Sequence, residues 1–252
     1  MKTLINRLFS AEYAKNRATE QNLILLGMYR FAYPFSLVLN RLHVTANQIT
    51  IASIIFAMLA AFFLINSNEN GNVYFFVFWF LSLLLDFCDG TVARMSNNTS
   101  KTALKFDHLS DLFKIFIVML GASIHYDQLI VWCVSMSASF LFMYYMVVNH
   151  QLSGVRALIS KNCMREENVS VVEKVKFYHV KKVIKSDVLI KKLKSIYIPC
   201  VTINGHTLLI FLFLPWGEKI AISVCLYFSL LSLRGIFHSV LSLLKIPRRN
   251  VI

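Results

Sequence analysis

Charge is scarce in this 252-residue chain. Asp, Glu, Lys and Arg together make up 15% of it, well below the roughly 25% of soluble domains. Hydrophobic residues make up 57%, and mean hydropathy is +0.59. That composition excludes an ordinary soluble domain and fits a chain that crosses a membrane several times. Cysteine is sparse and unpatterned: Cys88, Cys133, Cys163, Cys200 and Cys225 fall in no paired or ligand-like spacing, so neither a disulfide framework nor a zinc site is expected. No internal repeat and no long linker divides the chain, and a single membrane domain over residues 1–252 is the economical expectation. The segment Met1–Gln21 is too polar for a secretory signal, so no cleavage is expected. The net charge of +13 comes without a base-stacking aromatic pattern, and nucleic-acid binding is not expected.

Six apolar runs are present, at about Ile49–Ile65, Val73–Ala93, Leu109–Ile124, Leu129–Val148, Ile196–Leu214 and Ile220–Leu244. Most approach the ~20 residues that a helix needs to cross the hydrocarbon. They predict an all-α, integral membrane fold whose six-span core covers residues 49–244. The third run is short and carries Lys114, which is expected to snorkel to the interface. Ahead of the core, Leu23–Leu42 is apolar but broken by Arg30, Pro34, Asn40 and Arg41. It reads as an amphipathic interfacial helix within an N-terminal segment of residues 1–42, kinked at Pro34; a seventh span is the other reading.

The connectors alternate in charge. Asn66–Asn72 and the turn near Tyr126-Asp127 hold no Lys or Arg, and Pro215–Lys219 holds one Lys beside a Glu. The opposite set is basic: Arg94, Lys101 and Lys105; the long Gln151–Ser195 segment; and Lys245, Arg248 and Arg249. The positive-inside rule then places both termini in the cytoplasm. The long basic segment suits anionic headgroups of the inner leaflet.

Against this apolar background stand two aspartate pairs, Asp86 with Asp89 and Asp107 with Asp111. Their i,i+3 and i,i+4 spacings put each pair on one face of a helix. The topology brings all four to the cytoplasmic ends of the second and third spans. Carboxylates beside apolar stretches are costly unless compensated, and four together repel one another. Hard divalent cations relieve both problems, and an all-oxygen donor set suits Mg²⁺, Mn²⁺ or Ca²⁺. One pair by itself would read as an exposed helix end; two pairs at matching spacing point to a metal site.

Written out, the pattern is Asp86-x2-Asp89-Gly90-x2-Ala93-Arg94-x12-Asp107-x3-Asp111. This resembles the signature of the CDP-alcohol phosphotransferase (CDP-alcohol phosphatidyltransferase) family. One position departs from it: Ala103 stands where the family has glycine. Upstream, Val44–Thr50 resembles the family's Thr-Pro-Asn-x-x-Thr lead into the first span, with Ala46 replacing proline. Beyond about Asn149 the resemblance is only topological.

The resemblance implies six helices after an amphipathic N-terminal helix, and transfer of a phospho-substituted group from a CDP-alcohol to a second alcohol with release of CMP. It implies that Asp86, Asp89, Asp107 and Asp111 bind two divalent ions, Mg²⁺ or Mn²⁺, and that Asp111 is the general base. It further implies that Gly90, Arg94 and Ser100 contact the CDP moiety, with Asn47 and Thr50 approaching from the first span. Gly90 and Ala93 are small enough for a nucleotide to come close, and Arg94 can grip a phosphate in a fork. A homodimer in a bacterial-type inner membrane is the implied setting, and CDP-diacylglycerol the expected donor. The acceptor is open among inositol phosphate, glycerol phosphate, serine and a sugar-linked alcohol.

Other readings stay open at this point. A soluble CDP-alcohol with a lipid or glycan acceptor is one. A divalent-cation carrier is another, although carriers hold their sites near the midplane; an inactive scaffold is a third. Asn47 and Thr50 also read as a helix cap. Arg94 also serves as a positive-inside anchor, and Arg156 as a surface anchor or a phosphate contact. Arg234 and His238 lie in the last span near its cytoplasmic end, His206 in the fifth, and His108 on the face turned away from the aspartates.

Overall fold

A computed structural model describes residues 22–66, 70–96, 101–167 and 205–244, with residues 101–105, 153–167, 205–206 and 242–244 described by backbone alone. The described residues form seven helices and no strand: α1 Leu23–Arg41, α2 Ala46–Ile65, α3 Gly71–Met95, α4 Lys101–Tyr126, α5 Leu129–Glu167, a 3₁₀ helix η1 Gly205–Trp216, and α6 Glu218–Leu244. The all-α membrane fold expected from the apolar runs is therefore present. Six helices, α1 to α6, are long and apolar enough to cross a bilayer. The fifth apolar run corresponds to η1, whose upstream residues 196–204 lie outside the described residues, as does most of the basic segment.

Local sequence explains where the helices begin. Asn22 caps α1 by accepting a hydrogen bond from Leu25 N at 3.0 Å. At α2, Thr45 accepts from Gln48 N while Gln48 Oε1 accepts from Thr45 N, a reciprocal capping box. Thr45, then, and not Asn47 or Thr50, is the cap. The α1 helix runs on through Pro34. One of its faces buries Met28, Ala32, Tyr33 and Ser36, while Leu23, Phe31, Phe35 and Val38 are exposed. This is the amphipathic helix that the sequence predicts, and at 19 residues it is also among the six that are long enough to span. The α4 helix starts at Lys101, ahead of its apolar run, so Asp107 is helical too and shares one helix with Asp111. The 39 residues of α5 extend about 58 Å at ~1.5 Å per residue, beyond the apolar run that ends near Val148.

The core is built around α2, which packs on both α3 and α4. Small residues make this possible. Ala57, Ala60 and Ala61 are buried in the α2 seam. At Gly121 of α4 an added Cβ would lie 3.2 Å from Ala61 Cβ. Across the α2–α3 seam, Ser82 donates to Ser53 O at 2.7 Å and Phe63 stacks on Phe78 with ring centroids 5.2 Å apart. By contrast α3 and α4 make at most a few close backbone contacts among the described residues. The two aspartate-bearing helices are thus held side by side by α2, with their facing side chains in the gap.

The second half closes around Trp79, Phe211 and Phe228, all fully buried. Trp79 Nε1 donates to Leu208 O at 3.0 Å, tying α3 to η1. Tyr126 donates to Leu214 O at 2.7 Å and accepts from Gly217 N at 3.0 Å. Gly217 has φ +138°, a conformation that only glycine adopts easily. The outer faces remain rich in exposed Phe, Leu, Ile and Val, as lipid-facing surfaces require.

Candidate functional site

Asp86 and Asp89 sit on the C-terminal half of α3, and Asp107 and Asp111 on the N-terminal half of α4. Across the gap, oxygens of Asp86, Asp89 and Asp107 come within 4.8 Å of one another. Such a set of three carboxylates fits one hard divalent cation, because each offers an oxygen and none offers sulfur or nitrogen. His108 is not part of this convergence.

Asp89 is 4% exposed, so its charge needs partners. One is Thr50 of α2, whose hydroxyl donates to Asp89 Oδ2 at 2.6 Å. The same hydroxyl lies 3.0 Å from Ala46 O. It has a single proton, and the shorter contact to the charged acceptor takes it. Thr50 is thus in the site, as a support for an aspartate. Asn47 is exposed on the first turn of α2, one turn before Thr50.

Lys114 departs from the expectation of snorkelling. Its side chain is 0% exposed and forms ion pairs with both Asp86 and Asp111. The reason lies in the helix period: Asp107, Asp111 and Lys114 follow at i, i+4 and i+7, one stripe of α4, and that stripe faces the gap. Lys114 Nζ is 2.9 Å from Asp111 Oδ1. That oxygen is shielded from solvent and receives no hydrogen bond, so the contact is ionic rather than directional. Asp111 therefore stands beside the three-carboxylate set, joined to it through the ammonium.

Below the aspartates on α3, Gly90 leaves room for the Arg94 guanidinium: a Cβ at Gly90 would lie 3.3 Å from Arg94 Nη1. Arg94 Nη2 is 3.4 Å from Thr91 Oγ1, and the guanidinium lies over the ring of Tyr29, 5.5 Å from its centroid. Tyr29 comes from α1 and packs edge-on against Phe87 at 5.1 Å. Ala93 is half-buried on the same helix as Gly90. The N-terminal helix thus forms one wall of the region that holds Gly90, Ala93 and Arg94. Sequence reasoning missed Tyr29, since nothing local in Leu23–Leu42 marks it. It also missed the role of Lys114, for which the i,i+3 step from Asp111 was the available signal.

Of the remaining candidates, Ser100 lies outside the described residues. Ala103 falls in the first turn of α4, and Arg156 and His206 in helical segments, all where the backbone alone is described. Arg234 and His238 are exposed on α6.

A family model described as CDP-alcohol phosphatidyltransferase matches residues 43–230. The chain belongs to the CDP-alcohol phosphatidyltransferase family. A search of curated proteins finds no match to it. The match begins just ahead of α2 and takes in both aspartate pairs, Thr50 and Lys114; α1, with Tyr29, precedes it. Family membership makes the protein a membrane transferase that moves a phosphatidyl-type group from a CDP-alcohol to an acceptor. It also accounts for a cluster of aspartates suited to a divalent cation at the ends of two apolar helices.

Proposed function

We propose that the protein transfers a phosphatidyl group from CDP-diacylglycerol to an acceptor alcohol, releasing CMP at the cytoplasmic face of a bacterial-type inner membrane. The observation that carries this reading is the convergence of Asp86, Asp89 and Asp107 at one end of two apolar helices. A site at a helix end meets a water-soluble cytidine nucleotide, and lipid lies alongside. The choice of a lipid donor is supported by α1, which lends Tyr29 to the site and exposes Phe31, Phe35 and Val38 on its other side, so acyl chains can stay in the bilayer while the headgroup reaches the aspartates. One polypeptide domain over residues 1–252 carries the activity, as a homodimer.

Bound Mg²⁺ or Mn²⁺ supplies charge to neutralise the diphosphate and the departing CMP. The chain's own groups do the rest. Asp86, Asp89 and Asp107 would hold the cation, and Thr50 fixes the Asp89 carboxylate. Arg94, braced by Tyr29, presents a fork to a phosphate, with Gly90, Ala93, Ser100 and Asn47 shaping the nucleotide's approach. Asp111 accepts the proton of the acceptor hydroxyl while that oxygen bonds to the β-phosphorus. The bond from that phosphorus to the bridging oxygen breaks, and CMP leaves with the electron pair. The resemblance implies two ions over the four aspartates, and the three converging carboxylates frame one of those positions.

The test is CMP release in membranes supplied with CDP-diacylglycerol and a panel of acceptors: inositol phosphate, glycerol phosphate, serine and a sugar-linked alcohol. Release that needs Mg²⁺ or Mn²⁺, stops on chelation and is lost in Asp111→Asn supports the proposal. CMP formed only from CDP-glycerol or CDP-choline would overturn the lipid donor. Ion flux without CMP would overturn the transferase.

A further inference from the structure

The buried ammonium in the acidic gap has a consequence for how many cations the gap holds. Four carboxylates face it, and Lys114 is 0% exposed between two of them, Asp86 and Asp111. The other oxygens that converge are those of Asp86, Asp89 and Asp107. Asp86 has two oxygens and serves both neighbours. The gap therefore contains two distinct cation-attracting positions: one framed by three carboxylates, and one already filled by a protein cation. We infer that Lys114 stands in for a second divalent ion, so that the site takes one cation, at Asp86, Asp89 and Asp107, and Lys114 supplies the fixed positive charge for Asp111.

Charge and geometry both favour this arrangement. Four carboxylates against one ammonium leave three negative charges; one divalent cation reduces these to one. Two such ions would make the cluster positive with no substrate present, and the second would compete with the ammonium for the same oxygens of Asp86 and Asp111. Like charges at that range repel strongly in a poorly hydrated gap. Moving Lys114 aside is no easy remedy. Its side chain has no solvent-exposed surface, so leaving means withdrawing an ammonium from two carboxylates and inserting it among apolar neighbours such as Ile115 and Val118, both buried. Lys114 is thus a positioning residue for Asp111.

This inference rests on the transferase reading of the same aspartates, and its test separates the two. The probe is Mn²⁺ alone, titrated onto the purified full-length protein in lipid nanodiscs and read by bound-metal stoichiometry and electron paramagnetic resonance. The natural protein is expected to bind one Mn²⁺ per chain with an uncoupled spectrum. Lys114→Met is expected to bind two, with the spin-coupled signature of ions about 4 Å apart, and the double variant Lys114→Met/Asp111→Asn to return to one. Two coupled ions in the natural protein would overturn the inference while leaving the transferase intact, and so would no gain of an ion in Lys114→Met. Should that variant not fold, the stoichiometry of the natural protein decides by itself. One ion bound with no CMP released from any donor would sink the transferase reading and leave the single-ion site standing.

Discussion

Replacing Thr50 by valine removes a hydroxyl and keeps the shape of the side chain. In the natural protein that hydroxyl donates to Asp89 Oδ2 at 2.6 Å, and Asp89 is 4% exposed. Water therefore has little access to make up the loss. A hydrogen bond to a charged group contributes about 1.5–3 kcal/mol, and removing the partner that orients a metal-binding carboxylate weakens metal affinity by about 10- to 100-fold. At ~1.4 kcal/mol per tenfold step, the two ranges agree. Thr50→Val is thus expected to bind Mn²⁺ about 10- to 100-fold more weakly, while Thr50→Ser, which keeps the donor, stays within about threefold, the lesser effect of a repacked methyl. The assay is a Mn²⁺ titration in nanodiscs, followed by the Mn²⁺ dependence of CMP release, where saturating metal should restore most of the rate. Unchanged Mn²⁺ affinity in Thr50→Val would show that the Thr50 contact does not orient Asp89. An equal loss in Thr50→Ser would show that packing, and not the hydrogen bond, matters at this position.

Three further outcomes follow from the packing. Tyr29→Leu should raise the KM for the CDP-alcohol by about three- to tenfold with kcat little changed, since a cation–π contact contributes about 0.5–2 kcal/mol; a fall in kcat alone would contradict the bracing role. Gly235→Ala places a Cβ 2.6 Å from Tyr145 Cε2 at the α5–α6 seam, and overpacking of this kind costs about 1–3 kcal/mol. Thermal unfolding in detergent should show the loss, and pairing it with Tyr145→Leu should recover most of it. Trp79→Phe leaves Leu208 O without its buried donor and should lower stability by about 1–3 kcal/mol, read in the same unfolding experiment; no change would mean that the α3–η1 tie adds nothing net.

Much of the site was legible because its signals are local. The spacing of Asp86 with Asp89, and of Asp107 with Asp111, fixes each pair to one helix face whatever the helices later pack against. The apolar runs fix where the helices lie, and the Thr45–Gln48 capping box starts α2 where the run begins. Other features depend on which face meets which neighbour. Thr50 reads equally as a cap or a site residue until α2 is seen wedged beside α3. Lys114 reads as a snorkelling end-of-span lysine until α4 is rotated to turn its 107–111–114 stripe into the gap. Tyr29 has no local mark at all, because its partner Arg94 is on another helix, 65 positions along the chain.

The sequence by itself determined an all-helical membrane chain with acidic pairs near the ends of two apolar runs, since hydropathy and helical period are properties of neighbouring residues. Only the tertiary structure decided that three of the four carboxylates converge, that the fourth is held by a buried ammonium, and that the N-terminal helix supplies a wall of the site. Those are contacts between separate helices. They are set by how close α2 lets α3 and α4 come, through alanines and a glycine whose small size matters only once the helices meet.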